Sequence, residues 1–134
     1  MGNEKVHLLT TSGQYMLRME MMSTTIGWVS AEYRSYFCLD DESRFYMLHV
    51  GGYSGDCGES PMRLHNRLNF TTKDCDNDVW DGVNCANLSF SGWWFNTCVW
   101  VSLNGRWGYN FALWSLADSD VFLTASRMMI KLIQ

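Results

Sequence analysis

Apolar and polar residues alternate most clearly from Gln14 to Met21. Tyr15, Leu17, Met19 and Met21 fall on one side, and Arg18 and Glu20 on the other. That period of two predicts a strand with one wet face. Trp28 to Leu39 is rich in aromatic and β-branched residues and predicts one or two further strands. Asp40 to Ser43 is a turn by composition. Phe45 to Val50 is a third apolar run, which Gly51-Gly52 is expected to end. The N-terminal third therefore reads as an antiparallel meander. Glu59 to Asn66 is a candidate short helix, with Pro61 restricting where it begins. From residue 67 to residue 110 no period is visible. A long irregular stretch of this kind is uncommon unless it is functional or stapled. Val121 to Leu132 regains strand character and is placed to close back on the meander.

Composition narrows the class. With 134 residues, 47% hydrophobic and 18% charged, the chain can bury a core as one domain. Its acidic balance (net charge −4, pI near 5.2) argues against a nucleic-acid surface, which needs a basic stripe. No apolar run approaches the roughly 18 residues of a membrane span. Met1 to His7 is polar and lacks the apolar stretch of a signal peptide. The five cysteines form no CxxC pair, which disfavours a zinc ribbon or a thioredoxin-like site. Asn69-Phe-Thr71 and Asn87-Leu-Ser89 are glycosylation sequons. Together with disulfide-like cysteines they point to an oxidising, extracellular compartment. The odd cysteine count without a leader predicts a piece of a longer secreted chain.

The densest chemistry lies at Asp74, Asp76, Asp78 and Asp81, just before Cys85. On a strand, Asp74, Asp76 and Asp78 would share one face and repel. On a loop they can converge on a hard cation, and calcium takes six to eight oxygen ligands. An EF-hand starting at Asp74 is excluded, because Val79 occupies its glycine position and Cys85 its final glutamate position. The residues alone leave two readings open, a calcium loop and a solvated acidic turn whose Asp and Asn side chains cap their own backbone.

Several motifs recur in a fixed order. They are Gly52-Tyr-Ser-Gly55, His65-Asn66, Phe70-Thr-Thr72, Asp74-Cys-Asp-Asn-Asp78, Asn84-Cys-Ala86, Gly92-Trp-Trp94, Cys98 and Leu103-Asn-Gly105. In this order they resemble the C-terminal part of a fibrinogen-related domain. Gly2 to Thr10 resembles the stretch that opens the domain's central part, and Met128 to Lys131 its last strand. The resemblance covers nearly all of residues 1–134 and lacks the family's N-terminal subdomain. It implies an α+β fold, with an antiparallel sheet, short helices and a long irregular calcium and recognition subdomain.

The resemblance also implies a site. Asp76 and Asp78 match the family's side-chain calcium ligands. Trp80 and Gly82 match its carbonyl ligands, although one extra residue before Asn84 makes Asp81 or Val83 equally placed for the second carbonyl. Asp74 stands behind these ligands or caps the turn. Cys85 and Cys98 match a disulfide, whose small loop is worth about 3 kcal/mol in the chain-entropy model. Thr97–Cys98 matches a cis peptide of lectin-like members. Phe95, Val99, Trp100 and Trp107 match the pocket that in those members receives acetyl groups. Val99 stands where they carry histidine, and Phe95 where they often carry tyrosine. The segment from Trp107 to Trp114, which normally adds pocket wall, is short. Cys57 and Cys75 are additions to the pattern, open to a 57–75 bridge or to two free thiols. Cys38 reads as a small buried hydrophobe.

The implied function is an extracellular, calcium-binding recognition module. Its lectin-like form would bind acetylated carbohydrate in innate immunity, and its full-length form would be a homo-oligomer. The alternatives are a module that binds cell-surface or matrix proteins and an inactive fragment. An enzyme has little support. The three histidines have no nucleophile motif nearby, Met16, Met19, Met21 and Met22 read as core, and Asp118 and Asp120 read as a solvated turn.

Overall fold

The computed structural model describes residues 1–107, 112–113 and 121–133. Helix α1 (Asn3–Thr11) is followed by β1 (Tyr15–Ser23), β2 (Gly27–Leu39), a 3₁₀ turn (Glu42–Arg44) and β3 (Leu48–Gly55). Helix α2 (Cys85–Ser89), β4 (Val101–Ser102), β5 (Ala112–Leu113), β6 (Val121–Phe122) and β7 (Ala125–Leu132) complete the described elements. One sheet has the order β3-β2-β1-β7 and the other β4-β5-β6, both with antiparallel neighbours. The architecture is α+β, as the motifs implied.

The alternation in β1 sets the register. Leu17, Met19 and Met21 are fully buried, opposite Tyr33, Ala31 and Val29 of β2. On the other side Leu17 and Met19 face Ile130 and Met128 of β7. A slip of one residue would turn these side chains to water, so the core specifies the pairing. The expected terminal strand divides. Val121–Phe122 joins the small sheet, Thr124 N–H donates to Met22 O at 2.7 Å, and Ala125–Leu132 closes on the meander as β7.

Three local expectations are corrected. The third strand begins at Leu48 rather than Phe45, because Phe45 and Tyr46 take left-handed backbone (φ 51° and 50°) after the 3₁₀ turn. The strand also runs through Gly51-Gly52 rather than ending there. Between the pairs Tyr33↔Tyr53 and Tyr36↔Gly51, β2 carries one extra residue, a bulge. The glycines make room for it. A Cβ on Gly52 (φ +74°) would lie 2.1 Å from Ser35 Oγ, and one on Gly51 2.4 Å from the Tyr36 ring. Residues 59–66 form successive tight turns after Pro61 instead of a helix, with Arg63 N–H bonded to Ser60 O and His65 N–H to Met62 O.

Helix α1 was not foreseen. Its N-cap is Gly2, which supplies no side-chain acceptor, and Leu8 and Leu9 are exposed, so it has no sharp apolar stripe. Tertiary bonds hold it to the end of β2. His7 Nδ1 donates to Leu39 O at 2.8 Å, and Leu39 N–H donates to Thr10 Oγ1 at 3.3 Å. Tyr33 makes a comparable tie, its hydroxyl meeting Ser60 Oγ and Met62 N–H at 2.9 Å each. The core thus continues from the sheet into Met62, Trp93, Trp94 and Phe95.

The proposed 57–75 bridge is absent. Cys57 is buried with its thiol donating to Ser30 O at 3.2 Å, and burial pushes that thiol up to about 12, whereas Cys75 is exposed. Cys38 is half-buried in β2 and is also a free thiol. Asp118, Asp120 and the wall segment 108–111 lie outside the described residues.

The two faces of the sheet predict unequal costs. Met19→Ala should lower unfolding stability by about 2–5 kcal/mol, since Met19 is fully enclosed. Arg34→Ala, on the wet face, should change it by under about 1 kcal/mol. Chemical denaturation of both variants measures the difference.

Candidate functional site

The segment from Thr71 to Trp100 has little regular structure, so side chains and one covalent bond hold it. Thr71 and Trp93 form an isolated two-residue bridge, with N–H···O distances of 2.9 and 3.2 Å. Asn77 reaches back into the loop, its backbone N–H donating to Thr71 Oγ1 and its Nδ2 to Phe70 O, both at 2.9 Å. Asn84 caps α2 by accepting from Ala86 and Asn87 N–H, and its Nδ2 donates to Thr72 O at 3.0 Å. The Cys85–Cys98 disulfide is formed, with Cα atoms 5.4 Å apart. The Thr97–Cys98 peptide is cis.

The acidic residues do not all point to one place. Asp74 Oδ1 accepts from the Thr72 hydroxyl at 2.7 Å, which holds its carboxyl below the usual range. It therefore caps the turn. Asp76 Oδ1 accepts from Asp78 N–H at 3.3 Å and is otherwise exposed. Asp78 accepts from Trp80 N–H through Oδ1 and from Cys85 N–H through Oδ2, both at 2.8 Å. Its carboxylate thus stitches the loop to the start of the disulfide helix. Gly82 turns the chain with a φ of +76°, next to the exposed Trp80 and Asp81. Among the described residues no group of three or more His, Cys, Asp or Glu side chains gathers as a metal cluster. The donors are nevertheless all hard oxygens. Two carboxylates with lone pairs to spare, supplemented by carbonyls and water, fit the chemistry of calcium better than that of a softer ion.

Beyond the disulfide lies a cleft of about 240 Å³ lined by Leu64, Asn96, Thr97, Cys98, Val99 and Trp100. Of the four residues expected to form the pocket, Val99 and Trp100 line it. Phe95 is fully buried beneath, and Trp107 is 71% exposed outside. The cleft wall carries no charged side chain.

His65 bonds to the backbone of the cleft wall at Trp100, a role that the His65-Asn66 motif had not been given. It is fully buried, and Nδ1 donates to Trp94 O at 2.7 Å. Nε2 accepts from Trp100 N–H at 3.0 Å and Val101 N–H at 3.2 Å. Those bonds require the neutral tautomer protonated on Nδ1. Burial lowers its pKa to about 4. The signal that could have found it is His65-Asn66 itself, since Asn66 Oδ1 also accepts a distant amide, that of Val50, at 3.0 Å.

Known proteins share this fold. Residues 1–119 match the family described as fibrinogen beta and gamma chains, C-terminal globular domain. The chain belongs to that family. Fibrinogen-like protein 1 of Bos taurus is 40% identical over 115 residues, covering 78% of this chain and 36% of the relative. Fibrinogen-like protein A of Apostichopus parvimensis is 37% identical over 128 residues, covering 90% and 44%. The fibrinogen-like globe domain of human ANGPTL2 superposes with a TM-score of 0.85 at 35% identity, covering 98% of this chain and 64% of that one. This fibrinogen C-terminal chain therefore spans well under half the length of the curated relatives it matches. Its family is one of recognition and structural modules rather than enzymes.

Of the two sequons in this family member, Asn87 is exposed on α2. Asn69 is half-buried, and its Oδ1 is enclosed without a partner among the described residues.

The His65 geometry predicts a pH dependence. Its folded pKa (about 4) lies below the ordinary 6.5, so below that value the unfolded chain binds more protons. The contribution is complete above pH 6.5 and is lost as pH falls from 6.5 to 4, to the extent of about 3 kcal/mol. Denaturation curves of His65→Gln, which keeps an acceptor but cannot titrate, should lack that part of the slope.

Proposed function

We propose that this chain is an extracellular recognition module that binds a peptide or protein segment at the cleft beside Cys98, braced by calcium in the 76–82 loop. The observation that carries this reading is the cleft's character. It is uncharged, walled by Leu64, Val99 and Trp100 with Asn96 and Thr97 beside them, and held by a disulfide and a buried histidine. Such a wall selects by shape and apolar fit. A lamprey fibrin D-dimer with the same fold (TM-score 0.84, 28% identity) is described in complex with the peptide Gly-His-Arg-Pro-amide. That precedent supports a peptide occupant here. Secretion is in keeping with the disulfide and with the exposed Asn87 sequon. Among the described residues no helix is long and apolar enough to cross a membrane.

Acetylated carbohydrate is the second reading. It is favoured by the size of the cleft and by Leu64, Val99 and Trp100 on its wall, which suit an acetyl methyl group. It is weakened by Val99, which offers no polar partner to orient the amide.

Calcium would be held by Asp76 and Asp78, with Trp80 and Gly82 carbonyls completing the set. Its charge would offset the concentration of carboxylates in the loop and so stiffen the polypeptide leading to Cys85. The chain's own residues do the rest: Asp78 positions the Cys85 amide, and Asn84 ties α2 to Thr72.

Screening immobilised peptides and acetylated glycans should show capture by peptides that Val99→Asp abolishes. Capture by acetylated glycans alone would replace the first reading with the second. For the metal, calorimetry should show millimolar or tighter calcium binding and a raised Tm for the parent chain, both absent in Asp76→Ala. Equal behaviour of parent and variant would remove calcium from the mechanism.

A further inference from the structure

A cleft larger than the one at Cys98 lies elsewhere, on the sheet face turned away from the core. The register places Met22 opposite Trp28 and Glu20 opposite Ser30 across β1 and β2, and Glu20 opposite Arg127 across β1 and β7. Ser30 N–H donates to Asp56 Oδ1 at 2.5 Å. Arg18, Glu20, Trp28, Ser30 and Arg127 are thus carried by three adjacent strands, with Asp56 at the margin. They border a cleft of about 390 Å³.

Two properties distinguish it from an ordinary wet face. The first is Trp28, whose indole is 58% exposed beside the charged residues. A large flat apolar surface is left in water next to fixed polar groups. The second is a continuous ion-pair network. Arg127 Nε and Nη2 bind Glu20 Oε2 at 2.5 Å, Arg18 Nε binds Glu20 Oε1 at 2.8 Å, and Arg18 Nη1 binds Glu32, which in turn holds Arg34 at 2.6 Å. The ion pairs cross β7, β1 and β2 and give each guanidinium a carboxylate partner. Glu20 and Glu32 side chains are only 14% exposed, so the lattice is anchored on its acidic side. Donor atoms beyond those bonds remain on both arginines, and Asp56 Oδ2 remains as an acceptor.

We propose that this cleft binds a neutral saccharide, one pyranose face stacking on Trp28 and adjacent hydroxyls bonding to Asp56 and to the Arg18 and Arg127 guanidiniums. The charge balance selects the ligand class. Two cations (Arg18, Arg127) face two anions (Glu20, Asp56), so the cleft has no net charge with which to draw an ion. What it offers is donors and acceptors at fixed spacing beside an apolar plane. A polyhydroxylated ring with one apolar face matches both. The site shares no residue with the cleft at Cys98 and does not depend on the calcium loop.

The test is titration of the full chain with methyl glucoside, methyl galactoside and methyl mannoside, followed by calorimetry and by NMR of the Trp28 indole N–H. At least one should bind saturably, with a dissociation constant on the order of 1 mM. Added salt should leave this unchanged, since the ligand carries no charge. Trp28→Ala should weaken binding by about tenfold. Asp56→Asn keeps the acceptor for Ser30 and removes only the outward one, so it should weaken binding without altering the fold. Chelator and Val99→Asp should have no effect. The proposal is overturned by saturation with none of the three sugars, by binding that Trp28→Ala leaves intact, or by a salt-sensitive preference for heparin at the same residues.

Discussion

His65 lies at the meeting point of three stretches of chain that share no regular structure. Its imidazole takes the Trp94 carbonyl on one side and the Trp100 and Val101 amides on the other. Leaving an enclosed backbone group without a bond is costly, and the imidazole supplies one here to each. One neutral ring therefore fixes the turn before it, the tryptophan pair and the segment that forms the cleft. Trp93 stacks edge-on against it with ring centroids 6.3 Å apart, and against Trp94 at 5.1 Å. Trp94 in turn meets Phe70 and donates from Nε1 to Tyr46 O at 2.8 Å, carrying the restraint back towards the sheet.

The acidic loop is organised by the same logic with the polarity reversed. Its carboxylates accept from the loop's own amides and from the Thr72 hydroxyl, so the fold of 74–85 is drawn by Thr72, Asp74, Asp76, Asp78 and Asn84 before any cation is considered. Asp78 spans from Trp80 to Cys85, and the disulfide joins Cys85 to Cys98 at the edge of the cleft. This chain of contacts is short and made of strong groups, which is how irregular backbone is held here without helix or strand.

The four-stranded sheet separates two kinds of chemistry. One face is dry and made of Leu17, Met19, Met21, Ala31 and Tyr33. The other is a lattice of arginines and glutamates with Trp28 among them. The dry face sets register and stability. The wet face is free to carry ligand chemistry, because its ion pairs contribute little to holding the fold.

The sequence by itself determined the elements whose signal is local. Period-two alternation gave β1 and its burial, and the Val121–Leu132 pattern gave the strand that returns to it. Motif order led to the family and to Cys85–Cys98. Tertiary structure decided what depends on contacts distant in the chain. Helix α1 is held by β2 rather than by its own stripe or cap. Gly51-Gly52 looked like a strand end because the bulge they accommodate belongs to Ser35 on a neighbouring strand. Phe95 and Trp107 had the right character for a pocket, yet packing buried one and left the other outside. Cys57 and Cys75 are close in sequence, but one thiol was drawn under β2 to Ser30. The part played by His65 was hidden for the same reason: its partners lie 29 to 36 residues away, and only the folded chain brings them to one ring.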